Sequence, residues 1–292
     1  MSTMQTALER APRFNLRALS IQRIFPRCEN EGCAKEGNLW PSIRRRSSGI
    51  QIEGRWVCGS ECFEESVSEI LKRIVPRANR WKPKVHRLPI GLVLLSRGVI
   101  RDEQLREALE RQRQAGSHRL GYWLQETGAA TEDEITSALA AQWACPVFPL
   151  AKESSYQQCA WMLPEAVIRA ARMLPVYVSR DRSEIYLAFV DGVDHSWLWA
   201  AGKILGCRTA PCLVSRSSFD RAFEEVCSRT RTEEFLFDSV EDIREMARVT
   251  TSFTMQLRAK SVQMVGCREF AWARIESEGA VRDLLFHLPI AH

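Results

Sequence analysis

The chain contains no Gly-x-x-x-x-Gly-Lys-Ser/Thr stretch. Its only Gly-Lys pair, Gly202-Lys203, is followed by Ile204 inside a predicted helix. Without amides wrapped round a phosphate and a hydroxyl for Mg²⁺, ATP hydrolysis has no footing. No run approaches the roughly 18 apolar residues of a membrane span. Arg10, Arg13, Arg17, Arg23 and Arg27 interrupt the apolar residues near the N-terminus, which sets the expectation of a cytoplasmic protein. His86, His118, His195, His287 and His292 are scattered, with no His-x-x-x-His pair. Asp194-His195 alone is too little for a catalytic site. Cys145, Cys159, Cys207, Cys212, Cys227 and Cys267 lie singly in apolar patterns, which suits buried thiols rather than nucleophiles. These absences set the expectation of a non-enzymatic protein.

What is present begins with an uneven charge. Of 292 residues, the first 87 hold 17 Lys/Arg against 9 Asp/Glu, and the remainder hold 24 against 27. A basic end suits nucleic acid, anionic lipid or an acidic partner, although a solvated arm is the simpler reading. Residues 1–26 form that basic arm, either a weak amphipathic helix or disordered. The length leaves room for two or three domains. Nine tryptophans read as core and interface anchors.

The strongest internal feature is a doubled segment, Pro89–Gln112 and Arg119–Gln142, offset by 30 residues. Gly91 matches Gly121, Leu94 matches Leu124, Gly98 matches Gly128, Leu105 matches Ile135, Leu109 matches Leu139 and Gln112 matches Gln142. Each copy reads as a short helix, a glycine stop and a longer helix. Gly98 and Gly128 stand where a left-handed residue would end the short helix. Thr131 with Glu134 predicts a capping box, and Asp102 is the expected cap in the first copy. Read without further context, this is a small four-helix unit with a duplicated core.

The segment also resembles the N-terminal domain of type II secretion and type IV pilus assembly ATPases, the GspE N-terminal or MshEN family. Two tandem 24-residue motifs there begin Arg-Leu-Gly and end in Gln, as Arg119-Leu120-Gly121 and the two closing glutamines do here. Some members bind cyclic di-GMP. Glycines let the backbone approach the ligand, apolar residues pack on the guanines, and arginine and glutamine hold bases and phosphates. The resemblance implies a nucleotide site of Ile90, Gly91, Leu94, Leu95, Gly98, Gln112, Arg119, Leu120, Gly121, Leu124, Gly128 and Gln142. Pro89 replaces the first arginine, and Arg87, two residues earlier, is a candidate substitute. Gln125, Ala129 and Ala130 stand where the family has larger aliphatics, and the spacer Arg113–His118 is one residue longer than usual. The resemblance continues to residue 228 through Met162-Leu163-Pro164, Leu174-Pro175 and Ala188-Phe189-Val190-Asp191. Asp191, at a strand end, is placed for a polar contact or a turn cap.

Before the repeats, Cys28-x4-Cys33 and Cys58-x3-Cys62 lie within 35 residues. Two short cysteine pairs in a chain of reduced thiols suggest tetrahedral zinc before disulfide. Between them Ser48–Val57 predicts a hairpin turning at Glu53-Gly54, and a helix after Cys58 is expected to end before Pro76. The order loosely resembles a treble-clef finger. Four protein ligands would make the zinc structural. Arg44, Arg45, Arg46, Trp40 and Trp56 offer a basic, aromatic surface for single strands, but a protein-joining role is favoured.

Further along, helices are predicted from Pro164 to about 173, from Asp194 to about 205, from Ser217 to about 227, and over 240–257. Strands are predicted at 174–178, 185–190, 209–214, 261–265, 270–275 and 280–288, with a turn at Glu278-Gly279. Ala144–Leu150 reads as an edge strand or extended connector.

The fold class expected is α+β: a helical tandem-repeat subdomain plus a small α/β subdomain, preceded by a small zinc-binding module. The divisions are a basic arm (1–26), a zinc-binding module (27–75), a linker (76–87), the MshEN-like domain (88–228) and a C-terminal α/β module (229–292). The function expected is regulatory: cyclic di-GMP binding, or docking on secretion or pilus machinery proteins. The alternatives are a structural adaptor with a degenerate nucleotide site and a nucleic-acid-associated zinc protein.

Overall fold

The computed structural model describes residues 28–33, 49–78, 87–150, 156–229, 234–238, 240 and 242–288. The basic arm, Trp40, the Arg44–Arg46 loop and most of the linker lie outside the described residues. The fold is α+β.

The hairpin after the first cysteine pair forms as the alternating residues predict. Strands β1 (Ile50–Ile52) and β2 (Arg55–Val57) pair antiparallel about Glu53-Gly54, both at positive φ. Helix α1 (Ser60–Ala78) follows. It does not stop before Pro76, as the sequence predicts. Proline costs one helical hydrogen bond, but the last turn is held from outside: Ala78 is buried and its carbonyl accepts the Arg268 backbone N–H at 3.0 Å.

The doubled segment gives four helices, α2 (Ile90–Ser96), α3 (Asp102–Ala115), α4 (Leu120–Glu126) and α5 (Glu132–Trp143). They pack crosswise, α2 on α5 and α3 on α4, so each copy covers the other's apolar face. Their shared core is Leu94, Ile100, Leu105, Ala108, Leu124, Ala130, Ile135 and Ala138. Gly98 and Gly128 sit at φ 69° and 67°, the left-handed stops expected. Thr131 caps α5 as predicted, accepting from Glu134 N at 3.3 Å. Asp102 does not cap α3. It is the first helical residue, and Arg101 is the cap, its N–H donating to Gln104 Oε1 at 2.8 Å. An acidic residue in the first turn still favours the helix dipole.

A short turn of helix, α6 (Tyr156–Cys159), leads to α7 (Glu165–Ala171), which ends two residues earlier than predicted. Strands β3 (Leu174–Val178), β4 (Glu184–Phe189) and β5 (Arg208–Leu213) form a three-stranded sheet, β3/β4 antiparallel and β4/β5 parallel. Helix α8 (His195–Leu205), capped by Asp194, connects β4 to β5, and α9 (Arg216–Arg229) follows β5. The connector after α5 touches this sheet through a parallel bridge between Val147 and Leu213.

The remaining elements are β6 (Glu234–Phe237), which the sequence analysis missed, α10 (Ile243–Gln256), β7 (Ser261–Cys267), β8 (Phe270–Ser277) and β9 (Ala280–His287). They do not stand apart from the cysteine-bearing segment. One sheet runs β2-β1-β7-β8-β9-β6, with β1 parallel to β7 and β6 parallel to β9. One face carries Val262, Met264, Ala271, Ala273, Ile275, Leu284 and Phe286 into a core with Phe63, Val67, Ile70 and Leu71 of α1 and Met246 of α10. The other carries Val265, Cys267, Phe270, Trp272 and Leu285 into the core of the three-stranded unit. Burial on both faces explains why β8 is almost continuously apolar rather than alternating. The exception on that second face is Arg274, paired with Asp283 through Nε–Oδ1 at 2.8 Å and Nη2–Oδ2 at 2.7 Å. Trp272 Nε1 also donates to Asp283 Oδ1 at 2.7 Å, and Arg274 reaches the Met162 carbonyl at 2.8 Å, so the pair is satisfied where it is buried.

Candidate functional site

The four cysteines form one compact donor set. Cys28 and Cys33 flank a tight turn in which Cys33 N donates to the Asn30 carbonyl at 3.1 Å. Asn30 Nδ2 donates to Glu65 Oε2 at 2.6 Å, pinning the turn to α1. Cys58 leaves β2, and Cys62 lies in the first turn of α1, where the helix dipole favours a thiolate. All four sulfurs lie within 4.8 Å of one another; Cys33–Cys58 is 3.7 Å and Cys58–Cys62 is 3.8 Å. A tetrahedron with metal–sulfur bonds of about 2.3 Å has edges of about 3.8 Å. Burial pushes the Cys58 thiol up and the Cys62 thiol up to about 12. A dication placed among the sulfurs would reverse that preference. The set could hold a metal ion, and four protein donors would leave it no open position.

In the helical unit the residues singled out by the resemblance divide by burial. Leu94 and Leu124 are wholly buried. Ile90, Leu95 and Leu120 are half-buried against the same core. Gly91 and Gly121 are points of close helix packing: a Cβ on Gly91 would lie 2.8 Å from Leu105 Cδ1, and one on Gly121 3.2 Å from Ile135 Cγ2. Leu105 and Ile135 are themselves equivalent residues of the two copies. Gln112 Nε2 donates to the His118 carbonyl at 3.0 Å, and Gln142 Nε2 donates to the Leu88 carbonyl. Gly98 and Gly128 are exposed at the short-helix ends.

The polar residues that do converge lie where the helical unit meets the three-stranded unit. Arg119 approaches Asp191, with Nη1 3.7 Å from the carboxylate and 3.3 Å from the backbone carbonyl. Arg216 Nη2 donates to both Asp191 oxygens at 2.7 Å. Asp191 therefore neither caps a turn nor stands free. The Arg119 side chain is 75% exposed, and exposed pairs contribute about 0–1 kcal/mol, so it can be redirected at little cost. Beside this group the Arg87 guanidinium lies over the Trp143 ring, 3.0 Å from its centroid. His195 is 6.1 Å from the same ring, centroid to centroid. Ser217 donates from N and Oγ to Glu132 at 2.8 and 2.6 Å, closing the seam further along. Sequence reasoning missed Trp143, Arg216, Glu132 and Ser217. Trp143, directly after the motif's closing glutamine, was the one with a positional hint.

Comparison with known proteins bears on this seam. Residues 143–233 match the MshEN domain model, a match that begins at the end of the second helical copy. A relative is the type IV pilus assembly ATPase PilB of Thermus thermophilus, 24% identical over 130 residues, 44% of this chain and 14% of that protein. The chain thus matches a small part of that relative's length. Among solved structures, MshE with cyclic di-GMP aligns at TM-score 0.41 and 25% identity, covering 48% of this chain and 99% of that one. The N-terminal domain of XpsE aligns at TM-score 0.34 and 20% identity, covering 46% and 91%. Among the described residues, no helix is long and apolar enough to cross a membrane.

Proposed function

We propose that this is a non-enzymatic regulatory protein that binds cyclic di-GMP at the seam between its helical unit and its three-stranded unit and docks on a secretion or pilus machine. The carrying observation is the convergence of Arg119 and Arg216 on Asp191 beside the Arg87–Trp143 stack. An arginine fork suits both the phosphate oxygens and the O6/N7 edge of a guanine, and two arginines match the two negative charges of a cyclic dinucleotide. The non-enzymatic part rests on the missing phosphate loop, and docking rests on the family resemblance. The cysteine set is assigned a structural zinc that fastens α1 and the hairpin to the sheet.

Calorimetry with cyclic di-GMP on the full chain tests the reading: a saturable heat at micromolar protein is expected. Silence, together with no thermal shift, would leave the second reading, an adaptor without ligand. The packing of Gly91 and Gly121 against Leu105 and Ile135, and Pro89 in place of an arginine, favour that alternative.

A further inference from the structure

Trp143 is held in an unusual way. Its indole packs close to Gly192, whose φ is 142° and where a Cβ would lie 2.4 Å from Cζ2 of the ring. That contact sets the ring's orientation and admits only glycine. The ring carries the Arg87 guanidinium over it, a flat cation 3.0 Å from the ring centroid. The neighbouring Leu88 is 67% exposed, and its carbonyl is clasped by the Gln142 side chain. The two copies thus use their arginines differently. Arg119 opens the second motif and reaches Asp191, whereas Arg87 precedes the first and reaches the indole.

We propose that Trp143 is the base-stacking platform of the seam and that Arg87 is its intramolecular placeholder. A planar guanidinium presents much the same N–C–N outline as the amidine edge of guanine, so the face it covers fits a purine. A guanine of a cyclic dinucleotide would take that face, the Arg87 side chain would swing off the ring, and Arg119 and Arg216 would meet the phosphates. Arg87 is then a competitor of the ligand rather than a substitute for the arginine lost at Pro89. The inference rests on the dinucleotide reading, and its sign differs from what a ligand-contacting Arg87 would give.

The test is calorimetric titration of the full chain with cyclic di-GMP, comparing wild type, Arg87→Ala, Trp143→Leu, Trp143→Phe and the double variant Arg87→Ala/Trp143→Leu. Arg87→Ala should tighten binding at least roughly threefold, because no contact must be displaced. Trp143→Leu should weaken it by about tenfold or more, Trp143→Phe should retain most of it, and the double variant should lose the gain from Arg87→Ala. If Trp143→Leu does not fold, the effect of Arg87→Ala, read alone and in the Trp143→Phe background, decides. Wild-type binding that Arg87→Ala leaves unchanged or weakens overturns the placeholder while sparing the dinucleotide site. Wild-type binding that Trp143→Leu leaves unchanged overturns the platform in the same way. Absence of binding by both wild type and Arg87→Ala removes the dinucleotide reading and this inference with it.

Discussion

The side-chain amide of Gln142 closes on the backbone carbonyl of Leu88, 54 residues earlier in the chain. Its counterpart Gln112 closes on the carbonyl of His118, the position 30 residues after Leu88. The last residue of each copy therefore clasps the chain ahead of the other, and the crosswise pairing of α2 with α5 and α3 with α4 is closed at both ends. Each clasp is a neutral, solvent-accessible hydrogen bond. Gln142→Ala and Gln112→Ala should each cost about 0.5–1.5 kcal/mol in urea unfolding. A cost confined to one of them would show that the two clasps are not equivalent.

Arg119→Ala should weaken cyclic di-GMP binding at least tenfold, about 1.4 kcal/mol, in calorimetry. The same change should leave thermal stability nearly untouched, because the Arg119–Asp191 contact is mostly exposed. An unchanged affinity would place the ligand elsewhere.

Metal and sheet should fail together. Elemental analysis should find about one zinc per chain, and Cys58→Ser should abolish it. A closed thiolate site supplies folding energy of order 10 kcal/mol. Because Cys33, Cys58 and Cys62 share a core with Met264, Ile275 and Phe286, metal loss should raise hydrogen exchange in α1 and in β7–β9. Fast exchange confined to residues 28–78 would refute a common core.

Gly266→Ala tests the same interface by packing. A Cβ there would lie 2.6 Å from the backbone oxygen of Ile74 on α1, which cannot step aside as a side-chain end can. The cost should be about 1–3 kcal/mol by urea unfolding. A neutral result would mean that α1 does not press so closely on β7.

Glu234 gives the fold a pH dependence. Burial raises its carboxyl above the ordinary 4.5, although the Ala166 N–H, at 3.2 Å, partly opposes this. A carboxyl raised in the fold stabilises through its protonated form. Its contribution is whole below about pH 4.5 and is lost as pH climbs through the higher folded value. Glu234→Gln should therefore flatten that segment of the stability–pH curve. Parallel curves for the two proteins would assign the effect to another group.

Much of the architecture follows from neighbours in the chain. The Glu53-Gly54 and Glu278-Gly279 turns, the Thr131 capping box, the Asp194 cap and the left-handed Gly98 and Gly128 involve contacts spanning a few residues, so composition and spacing reveal them. The cysteine tetrad was legible for a related reason: four donors in 35 residues can close round one ion at small entropic cost. The end of α1 was misjudged because Pro76 is a local signal against a helix, while the contact from Arg268 that holds the last turn is remote.

The sequence by itself determined most of the elements, the doubling and the donor set, all written in short-range patterns. Only tertiary structure decided that β1 lies parallel to β7 and that segments at opposite ends of the chain share a sheet. It also decided that Trp143 meets both Arg87 and Gly192, with Arg119 and Arg216 meeting at the neighbouring Asp191. Period-two apolarity says that a strand has faces to bury, not which distant strand or helix will cover them. Exposed arginines likewise carry no sign of their partners until packing brings the surfaces together.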